Sequence, residues 1–154
     1  MAMSTIAEFA GVEAPGYPTG RTVVAVVVEW REKIALLKRS QSLHHDRGRW
    51  HCVTGFVETD ATPREQALRE LFEETGLDRA DVIDLRQGSQ LVLNDDSGAP
   101  WVVHTFTAVT SRRRLTLDWE HESYRWTAPA KTPRFANRVS WLDPVLEATG
   151  HLAR

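Results

Sequence analysis

Hydrophobic positions recur at two different periods along the chain, and the two periods divide it into strands and helices. Residues 21–30 are dominated by valine in a nearly unbroken apolar run, the pattern of a strand buried on both faces. A turn at residues 31–33 leads into residues 33–39, where an apolar centre ends in Lys38 and Arg39. A polar loop over residues 40–49 precedes a short strand at residues 50–54. Residues 82–85, 90–93 and 100–109 predict further strands, and residues 94–98 have the composition of a hairpin turn. Tyr124 and Trp126 alternate with Arg125, as a half-buried strand should.

The period changes at residues 63–75. Thr62, Pro63 and Glu65 form a helix start: a hydroxyl acceptor, a proline at the first helical position and the far half of a capping box. Gly76 is the stop, because the left-handed conformation costs glycine nothing. Wound at 3.6 residues per turn, Ala67, Leu68, Leu71, Phe72 and Thr75 fall on one side, and Gln66, Arg69, Glu70, Glu73 and Glu74 on the other. From Pro133 a loop gives way to an apolar stripe of Phe135, Val139, Leu142, Val145 and Leu146, which Pro144 should split into two short segments. This second helical region should cover the sheet opposite the first. The whole reads as an α/β fold, a mixed β-sheet between helices in an α/β/α sandwich. Residues 1–20, rich in Ala, Gly and Pro, form an N-terminal arm, and residues 21–154 a single domain.

The acidic helix breaks two local rules. Glu70, Glu73 and Glu74 stand at i, i+3 and i+4, so their carboxylates converge at a cost of roughly 0.2–0.5 kcal/mol per pair. Glu73 and Glu74 also occupy the last turn, where the helix dipole disfavours anions. Conflicts of this kind mark functional sites. A hard divalent cation with oxygen ligands relieves both, and Mg²⁺ keeps waters that a phosphate can replace; a solvated acidic face is the competing reading.

Composition narrows the partners. A net charge of −2 and a pI near 6.3 imply no basic surface for stable binding of a nucleic-acid duplex, and a negative chain that holds polyphosphate needs a metal bridge. Cys52 is the only cysteine; it lies in an apolar strand pattern and belongs to the core rather than to nucleophilic chemistry. The lone cysteine fits a cytoplasmic setting. The apolar run at residues 23–28 is far too short to cross a bilayer, so no membrane association is expected. His44 and His45 lack companions at zinc-ligand spacing. The cluster at residues 111–114 reads as a solvated basic loop.

The stretch from Gly55 to Leu77 resembles the signature of the Nudix hydrolase family, G-x5-E-x7-R-E-U-x-E-E-x-G-U with U a bulky aliphatic residue. Gly55, Arg69, Glu70, Leu71, Glu73, Glu74, Gly76 and Leu77 fall on their places, while Ala61 stands where the first Glu belongs. The flanking run from Trp50 to Glu58 is similar to the W-x-x-V-T-G-x-V-E form of the dihydroneopterin triphosphate and dATP pyrophosphohydrolase branch. Glu120 and His121 begin an E-H-x-x-Y-x-W run of the same branch.

The resemblance implies a Mg²⁺ cofactor, with Mn²⁺ as a substitute, held by Glu70, Glu73, Glu74 and Glu120. It makes Glu70 or Glu74 the general base, with Glu120 as the outside choice, and Arg69 the partner that orients a glutamate; Glu122 competes with Glu120 for the metal role. Asp60 could replace the missing Glu if the loop shifts by a residue. Substrate contacts are expected from Arg39, clamping phosphate or standing as an exposed strand-end charge, from Gly55, from Trp50 in a nucleobase pocket or in the core, and from Glu58. The implied substrates are small nucleotide or nucleotide-like polyphosphates, with nucleoside triphosphates and pterin triphosphate ahead of dinucleoside polyphosphates and nucleotide sugars. A non-catalytic nucleotide sensor is a third class. Homodimers are frequent among such relatives.

Overall fold

The valine run forms the central strand, with side chains covered on both faces. The computed structural model describes residues 21–94 and 97–153; the expected N-terminal arm and the middle of the turn at 94–98 lie outside the described residues. The strands are β1 (Thr22–Trp30), β2 (Lys33–Arg39), β3 (Trp50–His51), β4 (Val53–Phe56), β5 (Val82–Gln87), β6 (Leu91–Asn94), β7 (Pro100–Thr110) and β8 (His121–Thr127). β1 runs parallel to β7 and antiparallel to β2 and β4. β2 carries β3 and β8, and β7 carries β5 and β6, all antiparallel. Among the described residues the result is one mixed eight-stranded sheet.

Alternate residues of β1 feed two cores. Val24, Val26 and Val28 pack with Ala67 and Leu71 of helix α1 (Pro63–Thr75). Val23, Ala25 and Val27 pack with Leu142, Val145 and Leu146 of helix α2 (Leu142–Ala148). The helices lie on opposite faces of the sheet, as the periodicity implied. β1 turns into β2 through Arg31 (φ 51°) and Glu32 (φ 65°), a two-residue hairpin with both residues left-handed.

Three expectations are corrected. The strand at 50–54 is two short strands separated at Cys52, because β3 pairs with β2 and β4 pairs with β1. The C-terminal stripe is not one helical region: Phe135 follows a 3₁₀ turn (Pro129–Arg134), Val139 lies in irregular chain, and α2 is unbroken through Pro144. Pro144 sits in the first turn of α2, where a missing N–H deprives no intrahelical acceptor. On α1 the buried residues are Gln66, Ala67, Leu71, Glu74 and Thr75, whereas Phe72 is 56% exposed. The helix is thus rotated so that the Gln66–Glu70–Glu74 edge turns in toward the sheet, a placement hydrophobic periodicity alone would reject. Among the described residues no helix is long and apolar enough to cross a membrane.

Candidate active site

Helix α1 is held at both ends by its own sequence. Thr62 Oγ1 accepts from the Glu65 amide at 3.1 Å and Glu65 Oε1 accepts from the Thr62 amide at 2.9 Å. Gly76, at φ 77°, donates its amide to the Phe72 carbonyl and closes the last turn. No basic residue occupies that turn, so the negative end of the helix dipole acts directly on Glu73 and Glu74.

Gln66 ties the helix to the preceding loop. Its Oε1 accepts from the Glu58 amide at 3.1 Å, and its Nε2 donates to Glu70 Oε2 at 2.9 Å. Gly55, on β4 opposite Val24 of β1, lies directly under Glu70: a Cβ at Gly55 would collide with the Glu70 carboxyl. Glycine is required there because the carboxylate approaches the backbone, not because of a turn.

Glu70 and Glu74 are hydrogen-bonded to each other. Burial pushes the Glu70 carboxyl up to about 7, helped by the charges of Glu73 and Glu120 and opposed by the hydrogen bonds from Glu74 and Gln66. Glu74, 3% exposed, is raised well above the carboxylate range by burial first and then by Glu70, Glu120 and Asp118. Glu120 is also raised, by burial and Asp118, against the pull of His121 and Arg39. Burial and mutual repulsion thus disfavour two negative charges here, and a cation would offset both. No arginine or lysine pairs with either among the described residues. His121 approaches the pair: its Nε2 stands 3.7 Å from Glu74 Oε1 while its Nδ1 bonds Asp118 Oδ1 at 2.9 Å.

This donor set fits a divalent ion that takes few protein oxygens and fills its shell with water and phosphate. It does not form a closed cage: among the described residues no three His, Cys, Asp or Glu side chains converge as a ready metal cluster. Glu70 and Glu74 meet, whereas Glu73, exposed on α1, and Glu120, in the loop before β8, act on them through charge. The expected group of four is thus a pair with two neighbours.

The other expected residues take distinct places. Arg69 binds Glu58 Oε1 at 2.9 Å and grips Asp60 through two bonds of 3.1 and 3.3 Å. Its guanidinium holds Asp60 below the usual carboxylate range. Asp60 thus pairs with Arg69 in this structure, and Glu58 shares the same arginine. Arg69 braces the loop rather than a glutamate of the pair. Arg39 is 6% exposed, so it is no exposed strand-end charge. It pairs in register with His121, donates to the His45 carbonyl at 3.2 Å and lies close enough to Glu120 to lower its pKa.

Trp50 stands edge-on to Phe135, 5.1 Å between centroids, with the Arg125 guanidinium 6.0 Å from its ring. It lines a cleft of about 530 Å³ with Arg125, Lys131, Arg134 and Phe135. Trp50 pairs with Lys38 and Arg125 with Leu36, so this cleft opens on the α2 face of the sheet. Arg39 and the carboxylate pair belong to the α1 face. The two halves meet at the end of the sheet where β2 stops and β3 and β8 begin.

Sequence reasoning missed Gln66, Asp118 and His121. Gln66 stands one turn before Glu70 and was legible as a stripe mate. The Asp118–His121–Glu74 contact joins distant segments and left no local signal. His51, fully buried edge-on to Trp141 at 4.6 Å, is held neutral by desolvation and by Arg39.

Comparison with known proteins bears on the family and the fold. The family model for the NUDIX domain matches residues 18–148. The chain is 27% identical over 120 residues to an RNA pyrophosphohydrolase of Gluconacetobacter diazotrophicus, covering 75% of this chain and 65% of that one. It is 35% identical over 63 residues to a dihydroneopterin triphosphate diphosphatase of Haemophilus influenzae, covering 40% of this chain and 37% of that one. The chain thus spans less than two thirds of either relative's length. The fold is shared with the MutT protein of Methanosarcina mazei, with a TM-score of 0.71, 20% identity, and 85% and 93% of the two chains covered. With the family model spanning most of its length and the signature helix set against its glycine, the chain belongs to the NUDIX domain family.

Proposed function

We propose that this protein is a divalent-metal-dependent pyrophosphohydrolase. Its substrate is a nucleoside triphosphate or a related nucleoside-diphosphate-linked compound, with deoxynucleoside triphosphates and dihydroneopterin triphosphate foremost. The observation that carries the reading is the Glu70–Glu74 pair: buried, unmatched by any lysine or arginine among the described residues, and set against a glycine that admits it. The relatives named above carry pyrophosphohydrolase and diphosphatase activities in their names.

Glu70 and Glu74 would hold Mg²⁺, or Mn²⁺ in its place, with the charges of Glu73 and Glu120 adding to its attraction. When bound, the ion offsets phosphate charge and makes a water acidic enough to lose a proton near neutral pH. Burial raises the Glu70 carboxyl to about 7 in the metal-free protein, a bound cation would lower it again, and the general base is Glu70 or Glu74. Arg69 braces the loop through Glu58 and Asp60. Arg39 supplies a fixed positive charge beside Glu120 for phosphate oxygens. Trp50 offers an aromatic wall for the base.

The test is hydrolysis of a panel of deoxynucleoside and nucleoside triphosphates, pterin triphosphate, dinucleoside polyphosphates and nucleotide sugars, with and without Mg²⁺. Release of pyrophosphate and a monophosphate only with metal is expected. Two nucleotides from a dinucleotide would move the assignment to that class, and no turnover of any compound would refute the proposal.

A further inference from the structure

We propose that the free edge of the sheet is a track for single-stranded nucleic acid, running from the Trp50 cleft across β8 to the corner at Trp30. The proposal rests on the functional reading above only for where the track begins.

Among the described strands β8 pairs with β2 alone, so its other side is an edge. Two clefts flank it. One is the 530 Å³ cleft at Trp50; the other, about 390 Å³, is lined by Arg113, Tyr124, Arg125 and Trp126. They share Arg125 and Trp126, and no Asp or Glu lines either. Beyond the second cleft, Trp30 lies 5.4 Å from Trp126 and has the guanidiniums of Arg31 and Arg113 at 5.1 and 5.7 Å from its ring. Both guanidiniums thus lie within cation–π distance of one ring while the residues stay exposed.

The charge pattern identifies the occupant. Arg31, Arg113, Arg125, Lys131 and Arg134 are all exposed, and none pairs with a described carboxylate. Elsewhere Arg49, Arg69, Arg86, Arg112 and Arg138 are matched by acids, and the exposed Arg47, Arg64 and Arg79 stand singly, with no described aromatic ring paired to them. On β8 itself the carboxylate of Glu122 is matched by Lys38 at 3.8 Å. A chain with net charge −2 thus places five exposed, unmatched cations along this edge and interleaves them with aromatic rings. That combination suits a polyanion whose bases are free to stack, and a duplex hides those base faces. A mononucleotide fills one cleft; a strand engages both and reaches the arginine corner.

The test uses the full chain and 3′-fluorescein-labelled oligo(U) and oligo(dT) of about ten nucleotides, read by anisotropy between about 50 and 200 mM salt. A duplex of equal length and a labelled mononucleotide are measured beside them. Three or four phosphate contacts give a log–log salt slope of roughly −2 to −3 at about −0.7 each. The Arg31→Glu/Arg113→Glu double variant should weaken strand binding by at least about tenfold and reduce the slope by about 1.4, with mononucleotide hydrolysis unchanged. The Arg31→Gln/Arg113→Gln variant should fall between. Binding of neither strand, equal binding of duplex, or unaltered strand affinity in the double variant would overturn the track. Strand binding lost in the variant, from a protein that hydrolyses nothing, would sink the enzymatic reading and leave the track standing.

Discussion

Glu70→Gln should stabilise the metal-free protein at neutral pH and not in acid. The folded-state pKa of Glu70 is about 7 against an ordinary value of 4.5, chiefly because the carboxyl is buried. A raised carboxyl binds more protons folded than unfolded, so its contribution to stability is complete below about pH 4.5 and is lost as pH rises toward 7. The loss is about 2.5 units at 1.36 kcal/mol each, roughly 3 kcal/mol. Glutamine keeps the acceptor for Gln66 Nε2 and stays neutral. The variant should therefore match the wild type near pH 4.5 and exceed it by roughly 3 kcal/mol near pH 8, which is a melting-temperature gap of about 10 °C at this chain length. Glu74 acts in the same direction, since removing the Glu70 charge relieves one of the causes that raise it. His51 and His104, both lowered by burial, gain stability as pH rises toward 6.5, but they are present in both proteins and cancel in the difference. Thermal melts followed by circular dichroism across pH, in chelator and in Mg²⁺, measure the effect. Mg²⁺ should close the gap near pH 8 by stabilising the wild type more than the variant. An offset between the two proteins that does not change with pH would refute the reasoning.

Three further outcomes follow from particular contacts. Gly55→Ala should lower kcat on the order of 10²-fold while the fold survives, because the Glu70 carboxyl must move by about 1 Å; activity close to wild type would show that Glu70 position is not limiting. Ala61→Glu should lower the half-saturating Mg²⁺ concentration by about tenfold, about 1.4 kcal/mol of added binding, since Asp60 is held by Arg69; a titration curve unchanged from wild type would count against a ligand position at 61. Cys52 is 2% exposed and burial raises its thiol pKa, so iodoacetamide should leave it unmodified in the native protein; alkylation at the rate of a free thiol would contradict the packing around β3 and β4.

The sheet and α1 were legible because their signals are local. Valine repetition marks β1 as doubly buried, and Thr62, Pro63, Glu65 and Gly76 carry the two ends of α1 in adjacent residues. The rotation of α1 was not legible: hydrophobic periodicity puts Phe72 inside, whereas the structure turns Gln66, Glu70 and Glu74 toward Gly55 and leaves Phe72 outside. Burial of a carboxylate runs against every hydropathy scale and can be foreseen only from the chemistry it serves. The Glu120–His121 run pointed to Glu120 through its resemblance alone, whereas the contacts of Asp118 and His121 with this site join segments some fifty residues apart and left no local signal. The fate of Asp60 likewise depended on a long-range choice, its capture by Arg69, that spacing alone does not encode.

The central claim is that Glu70 and Glu74 form a cation-binding pair that drives phosphoanhydride hydrolysis. The most direct measurement is pyrophosphate release by Glu74→Gln in saturating Mg²⁺, on the compound the wild type turns over best. The account requires a fall in kcat on the order of 10²-fold or more, from a protein whose metal-free stability near neutral pH is equal to or above that of the wild type. Turnover within about twofold of the wild type would contradict it.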